Sequence, residues 1–256
     1  PGPAPSWIEV LVLALSVLVA SASAGAFNQY VEHQSDQLMA RTRRRAFVTG
    51  ALPHHPAWLV LMGAMLAGAV AAAWLVLNGA AALYVFLGAF FYAFVYTVWL
   101  KRRSAMNIVI GGLAGSFAVL AGAAAVDPTL GPLPLLLALV LFLWTPPHFW
   151  ALAIANRADY AQAGVPMLPV VVGNERAARI VFGSTVALLV ASLLPAFWGA
   201  GPVYFIGALG GGLHFVHKAW VLSREVTRAH AMSAFFASLV QLSTLLVAAC
   251  VDGLVR

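Results

Sequence analysis

The chain has 256 residues, of which 62% are hydrophobic and only 9% charged, and its mean hydropathy is +0.92. That composition excludes a soluble core and predicts an all-α, polytopic transmembrane helical bundle in a lipid bilayer. A net charge of +6 would suggest nucleic acid in a soluble domain, but here the basic residues belong to loops, where topology explains them, so no nucleic-acid partner is expected. The one cysteine, Cys250, excludes an internal disulfide and gives no metal-cluster pattern.

Eight apolar segments lie near 7–27, 57–77, 80–100, 107–126, 133–155, 179–199, 202–222 and 232–251. Each is about 20 residues long, enough to cross roughly 30 Å of hydrocarbon. The loops after the first, third, fifth and seventh hold Arg41, Arg43, Arg44, Arg45, Lys101, Arg102, Arg103, Arg157, Arg176 and Arg179, joined at the end of segment seven by Lys218, Arg224 and Arg228. Thirteen of the 14 Lys and Arg residues therefore share one side, with Arg256 opposite, and the basic side is expected to be cytoplasmic. The opposite connections, Asn78-Gly79, Asp127 to Pro134 and Gly199 to Pro202, are too short or plain to hold a site.

Segment one runs into NQYVEHQSDQLMARTRRR, Asn28 to Arg45, the most polar stretch of the chain. Asn28, Glu32 and Asp36 are four apart and share one helical face, so all three can point into one cavity. Glu32 and Asp36 repel at that spacing and lie at a helix C-terminus, where the dipole disfavours anions. A helix bearing both costs has a reason to bind a cation. Mg²⁺ takes one or two carboxylates plus phosphate oxygens, and Arg41 to Arg45 follow as a phosphate-binding cluster. The plainer alternative is a charged juxtamembrane cap that fixes topology.

Segment three ends in YTVWLKRRSAMN, Tyr96 to Asn107. Lys101 and Arg102 can meet a diphosphate while Tyr96 and Trp99 line its mouth; an aromatic belt with positive-inside charge explains the same residues. Gly111, Gly112 and Gly115 of the next segment predict a close-packed helix face. In segment five, Pro146-Pro147 predicts a broken or kinked helix. His148 beside it, near the cytoplasmic end, is either a functional group or a hydrogen-bonded core histidine. Asp159 follows on the same side as Glu32 and Asp36, and Gly164-Val165-Pro166 with Pro169 predict an ordered, non-helical loop. His214 and His217 share a face of segment seven, as a ligand pair or, more simply, a buried or interfacial contact.

Together these stretches resemble the UbiA superfamily of intramembrane prenyltransferases, and within it the protoheme IX farnesyltransferases. The first matching run is Asn28, Glu32, Asp36, Met39, Arg41, Thr42 and Arg45. The second is Tyr96, Thr97, Leu100-Lys101-Arg102, Asn107, Ile110-Gly111-Gly112 and Gly115. The third is Phe142, Trp144, Pro147-His148-Phe149, Asp159-Tyr160, Ala163-Gly164 and Pro166 to Pro169. The match spans about residues 25 to 175. Ala46 stands where the family usually has proline after the arginines, and a proline commonly follows the second motif's glycines, in the region where Phe117 stands.

The resemblance implies an Mg²⁺-dependent enzyme of the bacterial inner membrane that moves a farnesyl group from farnesyl diphosphate to haem B, giving haem O; a UbiA-type enzyme prenylating an aromatic or quinone precursor is the alternative, and a non-enzymatic membrane transporter the second. It implies metal held by Glu32, Asp36 and Asn28. The donor would be bound by Asn28, Arg41, Arg45, Tyr96, Lys101, Arg102 and Asn107, with Asp159 as a second carboxylate and His148 for haem contact or proton handling. The downstream haem A synthase or terminal oxidase assembly is the implied macromolecular partner. The family has nine spans and a cytoplasmic N-terminus, so a single domain over 1–256 lacking the family's first helix is the expectation.

Overall fold

The computed structural model describes residues 5–255, and Arg256, the lone basic residue assigned to the opposite side, lies outside them. Eight long helices account for most of the chain: α1 Trp7–Val31, α2 Ala57–Val76, α3 Gly79–Leu100, α4 Asn107–Val126, α5 Pro132–Ala155, α6 Asn174–Leu193, α7 Pro202–Arg224 and α8 Arg228–Val255. Among the described residues there is no strand. Seven of the eight are long and apolar enough to cross a membrane. The exception is α7, where His214, His217, Lys218 and four glycines dilute the apolar run. The molecule is an integral membrane protein.

Helix starts follow local chemistry. Ser6 and Glu9 form a reciprocal capping box on α1, and the Asn78 side chain accepts from Ala81 N to start α3. Proline opens α5 and α7, where its missing N–H has no partner to lose. The Asp252 carboxylate, on α8, accepts from Gly201, Val203 and Tyr204 N and so caps α7 from its neighbour. Asn78 Nδ2 donates to Ala124 O at the same end of the bundle. Successive long helices therefore run up and down, which gathers the ends of α1, α3, α5 and α7 on one side.

Two packing centres result. One joins α1 to α4 through Ala20, Ala24, Ala69, Ala73, Ala82 and Ala89; the other joins α5 to α8 around Trp144, Val181, Leu188, Tyr204, Phe215 and Leu222. Small residues let the backbones approach, as helix pairs in lipid require, since apolar area alone gives them no drive to associate.

Three local expectations change. The sequence places Asn28 to Asp36 on one helix, but α1 stops at Val31, Glu32 adopts φ −92°, ψ 5°, and a four-residue helix, His33–Asp36, resumes. The i,i+4 relation survives, because Glu32 N donates to Asn28 O and Asp36 N to Glu32 O. Pro146 and Pro147 do not interrupt α5, which runs unbroken through them. Thr145 Oγ1 donates back to Leu141 O at 2.9 Å in the same turn, the kind of local compensation that lets prolines persist in membrane helices. Pro169 lies in the first turn of a short helix, Leu168–Val172, where a proline is at home, and not in an irregular loop.

Candidate active site

A cavity of about 320 Å³ opens among α1, α3, α4 and α5 at the end where the basic loops gather. Its polar wall carries Asn28, Asp36, Arg41, Thr42, Arg45 and Lys101; its opposite wall carries Ile108, Leu141, Trp144, Phe149, Tyr160 and Met167, with Tyr92 and Tyr96 between.

Asp36 is fully buried. One of its oxygens, Oδ2, accepts from Arg45 Nη1 at 2.6 Å, while Oδ1 has no hydrogen-bond partner among the described residues. A buried carboxylate oxygen without a donor is costly, and it is an available ligand for a cation. Arg45 also reaches Asn28 Oδ1 at 3.4 Å, and Asn28 Nδ2 donates to Thr97 Oγ1 at 3.1 Å. Thr97 in turn donates to Tyr92 O at 2.8 Å, so the amide's orientation is fixed by a neighbouring helix. Thr42 Oγ1 holds the Asp36 carbonyl at 2.9 Å and ties the short helix to the arginine run.

Glu32 faces the other way. It is 2% exposed, pairs with Lys101 through Oε2 and stands 3.6 Å from Arg102 Nε through Oε1. Arg102 Nη2 also donates to Ser35 Oγ at 2.7 Å. Burial pulls the Lys101 ammonium below its ordinary pKa, against the opposing pull of the Glu32 carboxylate. Asn107 Nδ2 donates to Lys101 O at 3.1 Å and steadies the backbone of that residue.

The backbone carrying Lys101 is itself unusual. The last ten residues of α3, Phe91–Leu100, wind as a π-helix, and Lys101 N donates to Tyr96 O, five residues back. The wider turn presents Tyr92 and Tyr96 to the cavity while Trp99 is exposed as a belt residue. Such local widening recurs at functional sites. A Cβ added at Gly111 would come 2.8 Å from the Tyr96 ring, and one at Gly112 would come 3.0 Å from Thr145 Cβ. Close packing of α4 is thus what leaves room for the tyrosine.

The structure gathers Asn28, Glu32, Asp36, Arg45, Tyr96, Lys101, Arg102 and Asn107 into one network or its immediate support, with Arg41 on the cavity wall. It leaves two residues outside. Asp159 lies half-buried on the short helix Arg157–Gln162 and does not line the cavity, although its neighbour Tyr160 does. His148 sits one layer back: its ring stacks on Trp144 at 4.2 Å and on Phe235 at 4.6 Å, and Nδ1 lies 2.6 Å from Ser238 Oγ. Ser238 gives its only proton to Phe235 O at 2.6 Å, so it accepts from His148 Nδ1–H. His214 and His217 are both exposed. The sequence reading missed Tyr92, Thr97, Ser35 and Tyr160; Thr97 and Tyr160 stand inside its motifs, but their bonds and ring faces depend on other helices.

The sequence profile of the UbiA prenyltransferase family matches residues 1–240. The chain belongs to the UbiA prenyltransferase family. Its relatives within that family include protoheme IX farnesyltransferase 2 of Paramagnetospirillum magneticum, 56% identical over 99% of this chain and 88% of the relative. Protoheme IX farnesyltransferase 1 of the same organism is 48% identical over 96% of this chain and 87% of its own length. The fold is shared with a solved UbiA homologue from Archaeoglobus fulgidus bound to GPP and Mg²⁺, with a TM-score of 0.74 at 16% identity, covering 96% of this chain and 90% of that one. A UbiA homologue from Aeropyrum pernix K1 superposes with a TM-score of 0.72 at 18% identity, over 96% and 91% of the two chains.

Proposed function

We propose that this UbiA-family protein transfers a farnesyl group from farnesyl diphosphate to a vinyl side chain of haem B, giving haem O and diphosphate. The observation that carries the reading is the fully buried Asp36 with one unpartnered oxygen, set beside arginines on one wall of a cavity whose other wall is aromatic and apolar. Relatives 56% and 48% identical that are named protoheme IX farnesyltransferases support haem as the acceptor.

Among the described residues no three His, Cys, Asp or Glu side chains come together, so a divalent ion would need oxygens from its substrate. That fits Mg²⁺, which is commonly held by one or two carboxylates and phosphate. Asp36 Oδ1 and Asn28 Oδ1 are the donors that would hold it, while Glu32, paired with Lys101 and Arg102, fixes those cations beside the diphosphate. When bound, Mg²⁺ neutralises charge on the departing diphosphate.

Arg41, Arg45 and Lys101 line the cavity and orient the diphosphate, with Arg102 holding Glu32 and Ser35 from the rim. As the C–O bond breaks, positive charge develops on the allylic carbon, and the ring faces of Tyr92 and Tyr96 shield it. The vinyl group attacks, forming the new C–C bond, and water adds to the resulting cation with loss of a proton. Trp144, Phe149 and Tyr160 offer flat surface to the acceptor. His148 stacks on the Trp144 indole and holds it in place. Helix α7 is the eighth span, and the site faces the cytoplasm of a bacterial inner membrane; haem A synthase or a terminal oxidase assembly takes the product.

The test is acceptor choice. Purified full-length protein is given farnesyl diphosphate, Mg²⁺ and either haem B or an aromatic acid or quinone precursor, and products are identified by mass. Farnesylated, hydrated haem is expected; prenylation of the aromatic compound alone would overturn the reading.

A further inference from the structure

A second cavity, about 330 Å³, joins the first through three shared wall residues, Tyr92, Ala114 and Gly115. It runs away from the charged end between α1, α3 and α4. Its sides are mostly small residues, among them Ala20, Ala24, Gly88 and Ala89, so it is largely apolar. Its depth follows from helix geometry. On α3 the lining steps from Tyr92 down to Tyr84, and on α1 from Gly25 down to Val17, eight residues each, or about 12 Å at 1.5 Å per residue.

The far end is where the small residues stop. Tyr84 stands there, and its ring stacks on Phe117 at 6.2 Å with an interplanar angle of 23°. Phe117 is itself held edge-on by Phe91 at 5.0 Å. Gly88, one turn above Tyr84, lets α4 come close: a Cβ there would meet Ala114 O at 3.3 Å and Phe117 Cβ at 3.8 Å. Phe117 is therefore the brace behind the cavity's end wall.

We propose that Tyr84, braced by Phe117, is a specificity-determining residue that closes the isoprenoid arm and limits the donor to three isoprene units. The proposal rests on the prenyl-transfer reading, not on the identity of the acceptor. A linear chain whose diphosphate sits at Asp36 and Arg45 passes Tyr92, enters the arm and ends against the Tyr84 ring. Removing that ring opens the end toward the outer half of the bundle.

Donor binding without acceptor tests this. Affinities of the full-length protein for geranyl, farnesyl and geranylgeranyl diphosphate are measured with Mg²⁺ by calorimetry. Wild type is expected to prefer farnesyl over geranylgeranyl diphosphate by tenfold or more. Tyr84→Ala should erase that preference, Phe117→Ala should weaken it, and Tyr84→Phe should preserve it, since shape and not the hydroxyl closes the arm. Equal wild-type affinity for the two longer donors, or an unchanged preference in a folded Tyr84→Ala protein, would overturn the proposal and leave the transfer reading intact. Failure of wild type to bind any of the three would overturn both. Should Tyr84→Ala not fold, Tyr84→Trp keeps the question open to measurement: it should lower affinity for farnesyl while sparing geranyl diphosphate, and an unaltered ratio would count against the end-wall role.

Discussion

Glu32 and Asp36 are one turn apart, yet their surroundings divide their work. Asp36 keeps a free oxygen at the cavity, whereas Glu32 is occupied by Lys101 and Arg102. Removing one member of a buried ion pair strands the other, at a cost of about 3 kcal/mol or more. Lys101→Met should therefore lower the melting temperature clearly, and adding Glu32→Gln should restore most of it. Turnover should stay low in the double variant, because the diphosphate has still lost a cation. Thermal unfolding beside an activity assay checks both; restored activity in the double variant would make Lys101 a purely structural residue. The i,i+4 spacing made the acidic stripe legible, since that relation is fixed by the helix itself. It could not reveal that Lys101, 69 positions later, would claim Glu32, nor that Ser238 would claim His148. Those pairings are set by packing between helices far apart in sequence.

At the scale of an element, hydropathy located every long helix, and boundary chemistry explains where the reading slipped. Asn174 to Arg179 is polar enough to look like loop, but it forms the first turns of α6. The π-helical end of α3 left no signature, because a widened turn uses the same aromatic residues as an ordinary one. Ala46 can now be placed: it begins a short helix, Ala46–Thr49, after Arg45 in extended geometry at φ −65°, ψ 149°. That backbone suits a residue before proline, and the first helical position tolerates a missing N–H. Ala46→Pro should stabilise the protein by about 0.4–1 kcal/mol, mainly by restricting the unfolded chain. For a chain of this size that is a rise of about 1–3 °C in melting temperature, with activity unchanged. A fall in melting temperature would show that the Arg45 geometry is set by something proline disturbs.

For the whole molecule, alternation of helices puts the cavity and thirteen basic residues at one end and the short plain connections at the other. Charge bias predicts that the cavity end is cytoplasmic. In a Cys250→Ser background, an impermeant maleimide should label Thr129→Cys from the periplasmic side of intact spheroplasts, and Arg44→Cys only after permeabilisation. The reverse pattern would invert the topology. Composition was enough to read a helical membrane bundle, because a bilayer leaves few architectures open. The division into two packing centres, with the site where they meet, was not legible, since alanine and glycine faces look alike in every span.

The central claim is that the Asp36 pocket is where the prenyl diphosphate is ionised. Its most direct test is diphosphate release and haem O formation by purified full-length protein, wild type beside Asp36→Asn, with farnesyl diphosphate, haem B and Mg²⁺. Loss of one carboxylate from the cation site should remove about 3 kcal/mol of transition-state stabilisation, a hundredfold or more in rate, while the amide oxygen still accepts from Arg45 and keeps the protein folded. Equal release of diphosphate and formation of haem O by wild type, both suppressed together in Asp36→Asn, is the predicted result. Near-normal turnover in a folded Asp36→Asn protein would contradict it.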